Sequence, residues 1–420
     1  MNTSERRIRV VFLTFYFEAW DALADIYEQM DADSRFDVDV ISIPRRFSKD
    51  KPFAEEDRVS EFLTRQGVRH LRFNFEDSFE GLARIKALEP DYLFINYPWQ
   101  RNYQPGYRVE LLSEFTKVAY VPYYSLALVN EPGEEGVTPY LYTQRSNQLA
   151  SLVFTQDPNT LDAYAKTSRG NSYVHLTGTP KIDRLVRQVA AGGGGWPIES
   201  ENSKRLLWAP HHSFFEAWFN FGLFPEIRTQ MLNYARAHSD LDILLRPHPI
   251  MFSTLVEREV LTQSQLDDWL SAWNKLSNTG IDMDGSIADL FASSDYFVTD
   301  GISFLGEYPL ATGQPGIFME KENHWPLSPL GKLAADANIR VNGFDQFEAA
   351  LEKIVTAGFP DYSKSISDLR RAAQPFPGEA AAKIIEVILD DFGRQTPLVD
   401  KSLVKEVAWE NRPGTEAPWD

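Results

Sequence analysis

Several short apolar runs in this chain end abruptly in polar, chemically useful groups. Ile243-Leu244-Leu245 leads into Arg246 and His248, and Tyr296-Phe297-Val298 leads into Thr299, Asp300 and Ser303. A run that is apolar at every position reads as a strand buried on both faces, and such strands belong to parallel sheets covered by helices. Open sheets of that kind build ligand sites at the carboxyl ends of their strands. Arg246 offers a planar fork suited to phosphate. Ser303 stands where a helix over residues 304–310 should begin, and a helix N-terminus attracts anions. The plainer alternative is a structural ion pair between Arg246 and Asp300.

The rest of the chain supports the same architecture. Strand patterns over residues 10–15, 36–43, 69–75, 91–96, 117–122 and 152–155 alternate with helical patterns over 21–30, 55–66, 79–88 and 159–165. Four glycines at 192–195, followed by Pro197, interrupt the pattern and read as a flexible joint or an ordinary surface loop. A second alternation follows. Strands are expected over 205–210, 242–246, 296–299 and 316–319, with helices over 225–238, 255–276, 287–292 and 304–310. Amphipathic helices close the chain over 344–357 and 380–392. The expected fold is α/β, with two facing Rossmann-like domains and an interdomain cleft for ligands. The expected divisions are an N-terminal acceptor domain over 1–190, a linker over 191–203 and a nucleotide-donor domain over 204–375. A C-terminal helix over 376–395 could pack back on the N-terminal domain. The polar tail over 396–420 is expected to be poorly ordered unless Trp409 or Trp419 docks.

Composition removes several function classes. The formal net charge of −18 argues against a general nucleic-acid binder and gives no attraction to anionic membrane surfaces. The absence of cysteine rules out disulfides, thiolate metal sites and a thiolate nucleophile, and fits a reducing cytoplasm. No apolar run approaches the roughly twenty residues of a membrane span. The expectation is a cytoplasmic protein, with a peripheral position at the inner face of the membrane left open. No GxxxxGK[ST], GxSxG or early GxGxxG stands at a strand-to-helix junction, which removes the common ATPase, serine-hydrolase and dinucleotide readings.

A third strand end, Trp208-Ala209-Pro210-His211-His212-Ser213, carries two adjacent histidines that could hold a phosphate, act as acid or base, or bind metal. Adjacent histidines point in different directions, which argues against a shared metal, and no metal or cofactor is expected. On the N-terminal side, Thr14-Phe15-Tyr16-Phe17-Glu18 and Tyr120-Val121-Pro122-Tyr123-Tyr124-Ser125 close strands with aromatic and hydroxyl groups. They suit a polyol or sugar, or they are core. Residues 96–103 form a polar-aromatic loop beside them, read as a lid or as a surface loop anchored by Trp99.

The ordered set Arg246-Pro247-His248-Pro249, Ser294-Asp295, Val298-Thr299-Asp300, Ser303 and Glu307 resembles the CDP-glycerol glycerophosphotransferase family, which includes the teichoic acid polymerases and primases. Trp208-Ala209-Pro210 is similar to its Ala-Pro-Thr-Trp strand end, and Gly313-Gln314-Pro315-Gly316-Ile317-Phe318 to its later Pro-Val-Ile-Phe strand. The chain departs from the family where Gly301-Ile302 replaces Tyr-Ser and where Pro122-Tyr123-Tyr124 replaces His-Gly. The resemblance implies a glycosyltransferase-B-type fold. It also implies transfer of glycerol phosphate or a similar alcohol phosphate from a CDP-linked donor to a polyol, glycan or lipid-linked acceptor, in cell-surface polymer synthesis such as wall or capsule. Arg246, His248, Ser294, Thr299, Asp300, Ser303 and Glu307 carry over as donor contacts. Tyr16, Tyr123 and Tyr124 are the acceptor-side candidates. His211, His212 and Glu18 are the candidates for moving the acceptor proton. A nucleotide-sugar glycosyltransferase and a catalytically silent nucleotide-binding relative are the alternatives.

Overall fold

The computed structural model describes residues 6–46, 51–130, 142–216, 219–283 and 285–404. Trp409 and Trp419 lie outside the described residues. The chain divides into two compact units. Unit 1 comprises Met1–Ser125, Val137–Arg184 and Ala373–Asp420, and unit 2 comprises Leu126–Gly136 and Leu185–Ala372.

Unit 1 runs β1 (Ile8–Thr14), α1 (Asp21–Asp31), β2 (Phe36–Ser42), α2 (Glu56–Arg65), β3 (Leu71–Arg72), α3 (Ser78–Ala87) and β4 (Tyr92–Ile95). It continues through α4 (Val109–Leu112), β5 (Lys117–Tyr120), α5 (Arg145–Leu149), β6 (Leu152–Thr155), α6 (Pro158–Ala165), β7 (Val174–Leu176) and α7 (Pro180–Ala191), in which the division between the units falls. Its seven strands pair in parallel in the order β3-β2-β1-β4-β5-β6-β7. The apolar runs become the sheet's interior for the expected reason: Phe12 and Phe94, on neighbouring strands, stack at 4.8 Å between ring centres.

Unit 2 runs β8 (Lys204–Ala209), α8 (Phe224–Ala237), β9 (Leu241–Leu245), α9 (Met251–Glu257), α10 (Gln263–Trp273), β10 (Thr279–Ile281), α11 (Ile287–Ser293) and β11 (Tyr296–Thr299). Then come α12 (Ser303–Thr312), β12 (Ile317–Met319), α13 (Pro329–Asp336), β13 (Ile339–Val341), α14 (Phe344–Ala357) and α15 (Ser363–Ala373). Its six strands pair in parallel in the order β10-β9-β8-β11-β12-β13. Trp208 anchors one face of this sheet, stacked on Phe224 at 5.6 Å and flanked by Trp273 at 5.8 Å. Both units therefore have the Rossmann-like layout of the glycosyltransferase-B fold.

Three short strands, β7, β10 and β13, carry too little apolar sequence to stand out from loops, and β3 shrinks from the expected 69–75 to two exposed edge residues. Gly192, Gly193 and Gly194 have positive φ, which favours glycine. Gly194 lies against α11: a Cβ there would come 2.3 Å from that of Asp289, and Ser293 donates to its carbonyl at 3.3 Å.

The last helix, α16 (Ala380–Arg394), returns to unit 1 and buries Ala381, Ile384, Ile385 and Ile388 in the same core as α1. A polar latch fastens it. Lys117 donates to Asp391 at 2.6 Å and to the Thr396 hydroxyl at 2.8 Å, and the Tyr92 hydroxyl donates to Asp391 at 2.5 Å. Lys117 and Asp391 are each about nine-tenths buried. Removing one partner of such a pair leaves the other charge desolvated, at a cost of about 3–5 kcal/mol. Asp391→Ala is expected to lower unfolding stability by about that amount in urea denaturation, with Asp391→Asn in between; an unchanged transition would show that the latch contributes nothing net.

Candidate functional site

In an open parallel sheet a ligand crevice lies where the strand order reverses. In unit 2 that point is between β8 and β11, the first strand and its neighbour on the other side. The carboxyl end of β8 continues through Pro210 into His211 and His212, β9 continues into Arg246 and His248, and β11 continues into Asp300 and Gly301.

The three histidines converge. The ring centres of His211 and His212 are 4.4 Å apart, His212 and His248 are 3.9 Å apart, and His211 and His248 are 5.6 Å apart. The expectation that adjacent histidines diverge fails because alternation belongs to strands, and residues 210–214 are already outside β8. Burial lowers the pKa of His211 and of His212 well below the ordinary histidine value, and that of His248 to about 4. All three are therefore neutral near pH 7, able to give or accept a hydrogen bond according to tautomer. Among the described residues, no group of three or more His, Cys, Asp or Glu is arranged to hold a metal ion.

Asp300 holds this cluster in place. Its two carboxylate oxygens accept the backbone N–H of His211 and of Leu223, each at 2.6 Å. Thr299 completes the junction, donating to Ala209 O at 2.7 Å and accepting Gly301 N–H at 3.0 Å. Both side chains are buried, with their polar atoms committed to the loop. These bonds run to backbone groups at the ends of β8 and β11 and in the loop before α8; the resemblance implied donor contacts. The loop is tight elsewhere too. Gly222 N–H donates to Ser213 O at 2.7 Å, and a Cβ on Gly222 would lie 2.6 Å from His211 O. A Cβ on Gly301 would sit 3.0 Å from that of His211, which gives a steric reason for glycine where the resembled family has tyrosine.

The helix α12 starts at Ser303, which is exposed, and its N-cap residue Ile302 makes no side-chain cap. Ile302 thus caps none of its first N–H groups, which carry the positive end of the helix dipole. Glu307, one turn further on, is fully buried. Of the expected donor residues, Ser294 falls elsewhere, while Arg246 stands at the same end of the sheet as the histidines. Arg246 forms an ion pair with Asp282 at the end of β10, not with Asp300, and both side chains are largely buried. Ser294 precedes β11 and donates to Phe291 O at 3.3 Å, so it lies at the amino end of the strand whose carboxyl end forms the site.

Unit 1 presents its own group at the equivalent reversal, between β1 and β4. Tyr16, after β1, packs on Tyr97, after β4, at 4.8 Å, and on Tyr123, after β5, at 5.4 Å. Tyr97 lies 5.2 Å from Tyr123, which touches Tyr124 at 5.5 Å. Sequence reasoning left Tyr97 in a lid or surface loop and missed it as a member of this group; its position directly after β4 was the available signal. Burial raises the pKa of all four phenols, so they stay protonated. Glu18 is exposed, and Arg45 donates to both of its oxygens at 2.8 Å, which commits the carboxylate to an ion pair.

Comparison with solved structures finds the same architecture. A UDP-N-acetylglucosamine 2-epimerase superposes with a TM-score of 0.62 at 13% identity, over 94% of this chain and 99% of that one. The UDP-GlcNAc 2-epimerase from Neisseria meningitidis, bound to UDP-GlcNAc, gives 0.59 at 13% identity, over 91% of this chain and 100% of that one. The wall teichoic acid polymerase TagF gives 0.53 at 14% identity, over 94% and 92%. No family profile matches the chain, and no curated protein matches it by sequence. At these identities the likeness establishes the glycosyltransferase-B fold. Among the described residues no helix is long and apolar enough to cross a membrane.

Burial raises the Asp300 carboxyl to about 7, against the partial opposition of its two backbone donors. The folded protein thus holds this proton more tightly than the unfolded chain. Its stabilising contribution is complete below about pH 4 and is lost as pH rises through about 7. The histidines act in the opposite sense: theirs is complete above about pH 6.5 and is lost as pH falls towards 4. The difference in unfolding free energy between wild type and Asp300→Asn should therefore fall by roughly 4 kcal/mol between pH 4 and pH 7, at about 1.4 kcal/mol per tenfold change in proton affinity. A difference constant across that range would contradict the assignment.

Proposed function

We propose that the protein is an enzyme acting on a nucleoside-diphosphate-linked substrate, whose diphosphate is held on unit 2. The observation that carries this reading is the grouping of His211, His212 and His248 at strand ends, in the unit whose α12 begins without a side-chain cap. Neutral imidazole donors and helix N–H groups suit a phosphate, whose transfer needs oriented charge stabilisation more than covalent help. Structurally similar proteins include a UDP-GlcNAc 2-epimerase bound to UDP-GlcNAc, a MnaA–UDP co-structure and TagF soaked with CDPG, which fits a nucleotide substrate.

The finer reading is transfer of an alcohol phosphate, such as glycerol phosphate, from a CDP-linked donor to a hydroxyl acceptor in cell-surface polymer synthesis. The acceptor oxygen forms a bond to the phosphorus that carries the alcohol, the bond from that phosphorus to the bridging oxygen breaks, and CMP leaves. The acceptor proton goes to a base, for which His212 is proposed: it is neutral and stands in the cluster, whereas Glu18 is tied to Arg45. The tyrosines of unit 1 are proposed to receive a polyol, glycan or lipid-linked acceptor, since aromatic faces and phenolic hydroxyls suit such surfaces. The second reading is nucleotide-sugar chemistry, favoured by the higher structural similarity to the UDP-sugar epimerases.

Incubation of the protein with CDP-glycerol, CDP-ribitol and UDP-sugars over a panel of acceptors separates these outcomes. Release of CMP is expected. Release of a nucleoside diphosphate would indicate sugar transfer, and an isomerised nucleotide sugar without release would indicate epimerisation. Donor binding without turnover would mark a silent relative. His212→Ala is expected to lower turnover by about 10²–10⁴, the range for loss of a general base, with little change in donor affinity. Near-normal turnover would place the base elsewhere.

A further inference from the structure

The loop after β8 also holds a serine in contact with His211. Ser213 is buried, and its hydroxyl oxygen accepts the backbone N–H of Phe221 at 3.0 Å. The same oxygen lies 2.8 Å from His211 Nδ1. A hydroxyl has one proton to give. With Phe221 supplying the hydrogen on one side, the Ser213 proton is free to point at the imidazole. A second contact decides the direction. The backbone N–H of Ser213 also points at His211 Nδ1, at 3.3 Å, and an N–H can only donate. Two donors converge on one ring nitrogen, so Nδ1 carries the lone pair and the ring proton of neutral His211 resides on Nε2.

We infer that Ser213 is a positioning residue that fixes the tautomer of His211, so that His211 presents Nε2–H as a hydrogen-bond donor to a phosphate oxygen of the substrate. The inference rests on the proposed function only for the identity of that oxygen. The ring has little freedom to choose otherwise. Its backbone N–H is tied to Asp300 at 2.6 Å. Gly301 faces it so closely that an added Cβ would lie 3.3 Å from His211 Cδ2, the carbon next to Nε2. The rings of His212 and His248 pack against it as well. A nitrogen that already bears hydrogen gives no lone pair to an acceptor hydroxyl. His211 is thereby a phosphate donor, and the two adjacent histidines have different tasks.

The test uses full-length protein labelled with 15N at histidine. Long-range 1H–15N spectra near pH 7.5 distinguish the two neutral tautomers directly. The expected result is an Nε2-protonated His211 in wild type and in Ser213→Thr, which keeps the hydroxyl, with an Nδ1-protonated population growing in Ser213→Ala. An Nδ1-protonated His211 in unliganded wild type overturns the proposal, and this measurement needs no variant to fold. Titration with CDP, and with UDP as an alternative, then tests the ligand. CDP is expected to shift the His211 Nε2–H signal and to bind about two- to threefold more weakly to Ser213→Ala, which keeps the backbone donor to Nδ1 and loses the hydroxyl, in proportion to the lost competent tautomer, with recovery in Ser213→Thr. Weaker binding in Ser213→Ala without a change of tautomer would assign Ser213 a merely structural role and overturn the proposal. If neither nucleotide moves the signal although the tautomers behave as expected, the phosphate contact is overturned and the fault lies in the nucleotide reading.

Discussion

One buried carboxylate organises the site. Asp300 spends both oxygens on backbone N–H groups at the two ends of the segment between β8 and α8, His211 on one side and Leu223 on the other. This ties the two ends of the segment to one side chain. The far side is tied down by Trp325, which donates to Glu216 O and Phe219 O, and by Lys321, which donates to Gly222 O. Without the carboxylate, two backbone donors would be left without their acceptor, each costing about 1–3 kcal/mol where buried. The histidines would also lose the support that sets their direction. The same burial that raises the Asp300 pKa keeps the histidines neutral, so the electrostatics of the cluster follow from its packing.

The fold was legible because it depends on patterns that act locally. Runs such as Val10-Val11-Phe12-Leu13 and Tyr92-Leu93-Phe94-Ile95 are buried on both faces and are hard to read as anything else. The short strands β7, β10 and β13 were hidden because three edge residues carry almost no periodic signal. Residue types at strand ends in unit 2 singled out His211, His212, His248, Thr299 and Asp300, which the structure brings together with Gly301. Partnerships were not legible. Arg246 was open to pairing with Asp300, but Asp282 belongs to the neighbouring strand end, a choice that only the strand order makes. Ser294 was read with Asp300 because they are close in sequence, yet a strand carries them to its opposite ends. Glu18 looked like a spare acid until Arg45, a residue between β2 and α2, came to meet it.

Each unit gathers its chemically useful side chains at the point where its strand order reverses, and the two sets differ in kind. Unit 2 has imidazoles and an uncapped helix start; unit 1 has phenols held protonated by burial. That contrast suits a phosphate-bearing substrate on one and a hydroxylated or apolar one on the other. Architecture alone leaves the reaction open, since the same fold carries epimerases and a teichoic acid polymerase. The chemistry rests on which tautomers the loop after β8 imposes and on what the histidines touch.

The most direct measurement of that account is a crystal structure of the protein soaked with CDP-glycerol. The account predicts diphosphate oxygens within hydrogen-bonding distance, about 2.7–3.2 Å, of the histidine cluster and of the first N–H groups of α12. A diphosphate bound among the tyrosines of unit 1, with the histidines of unit 2 untouched, would contradict it.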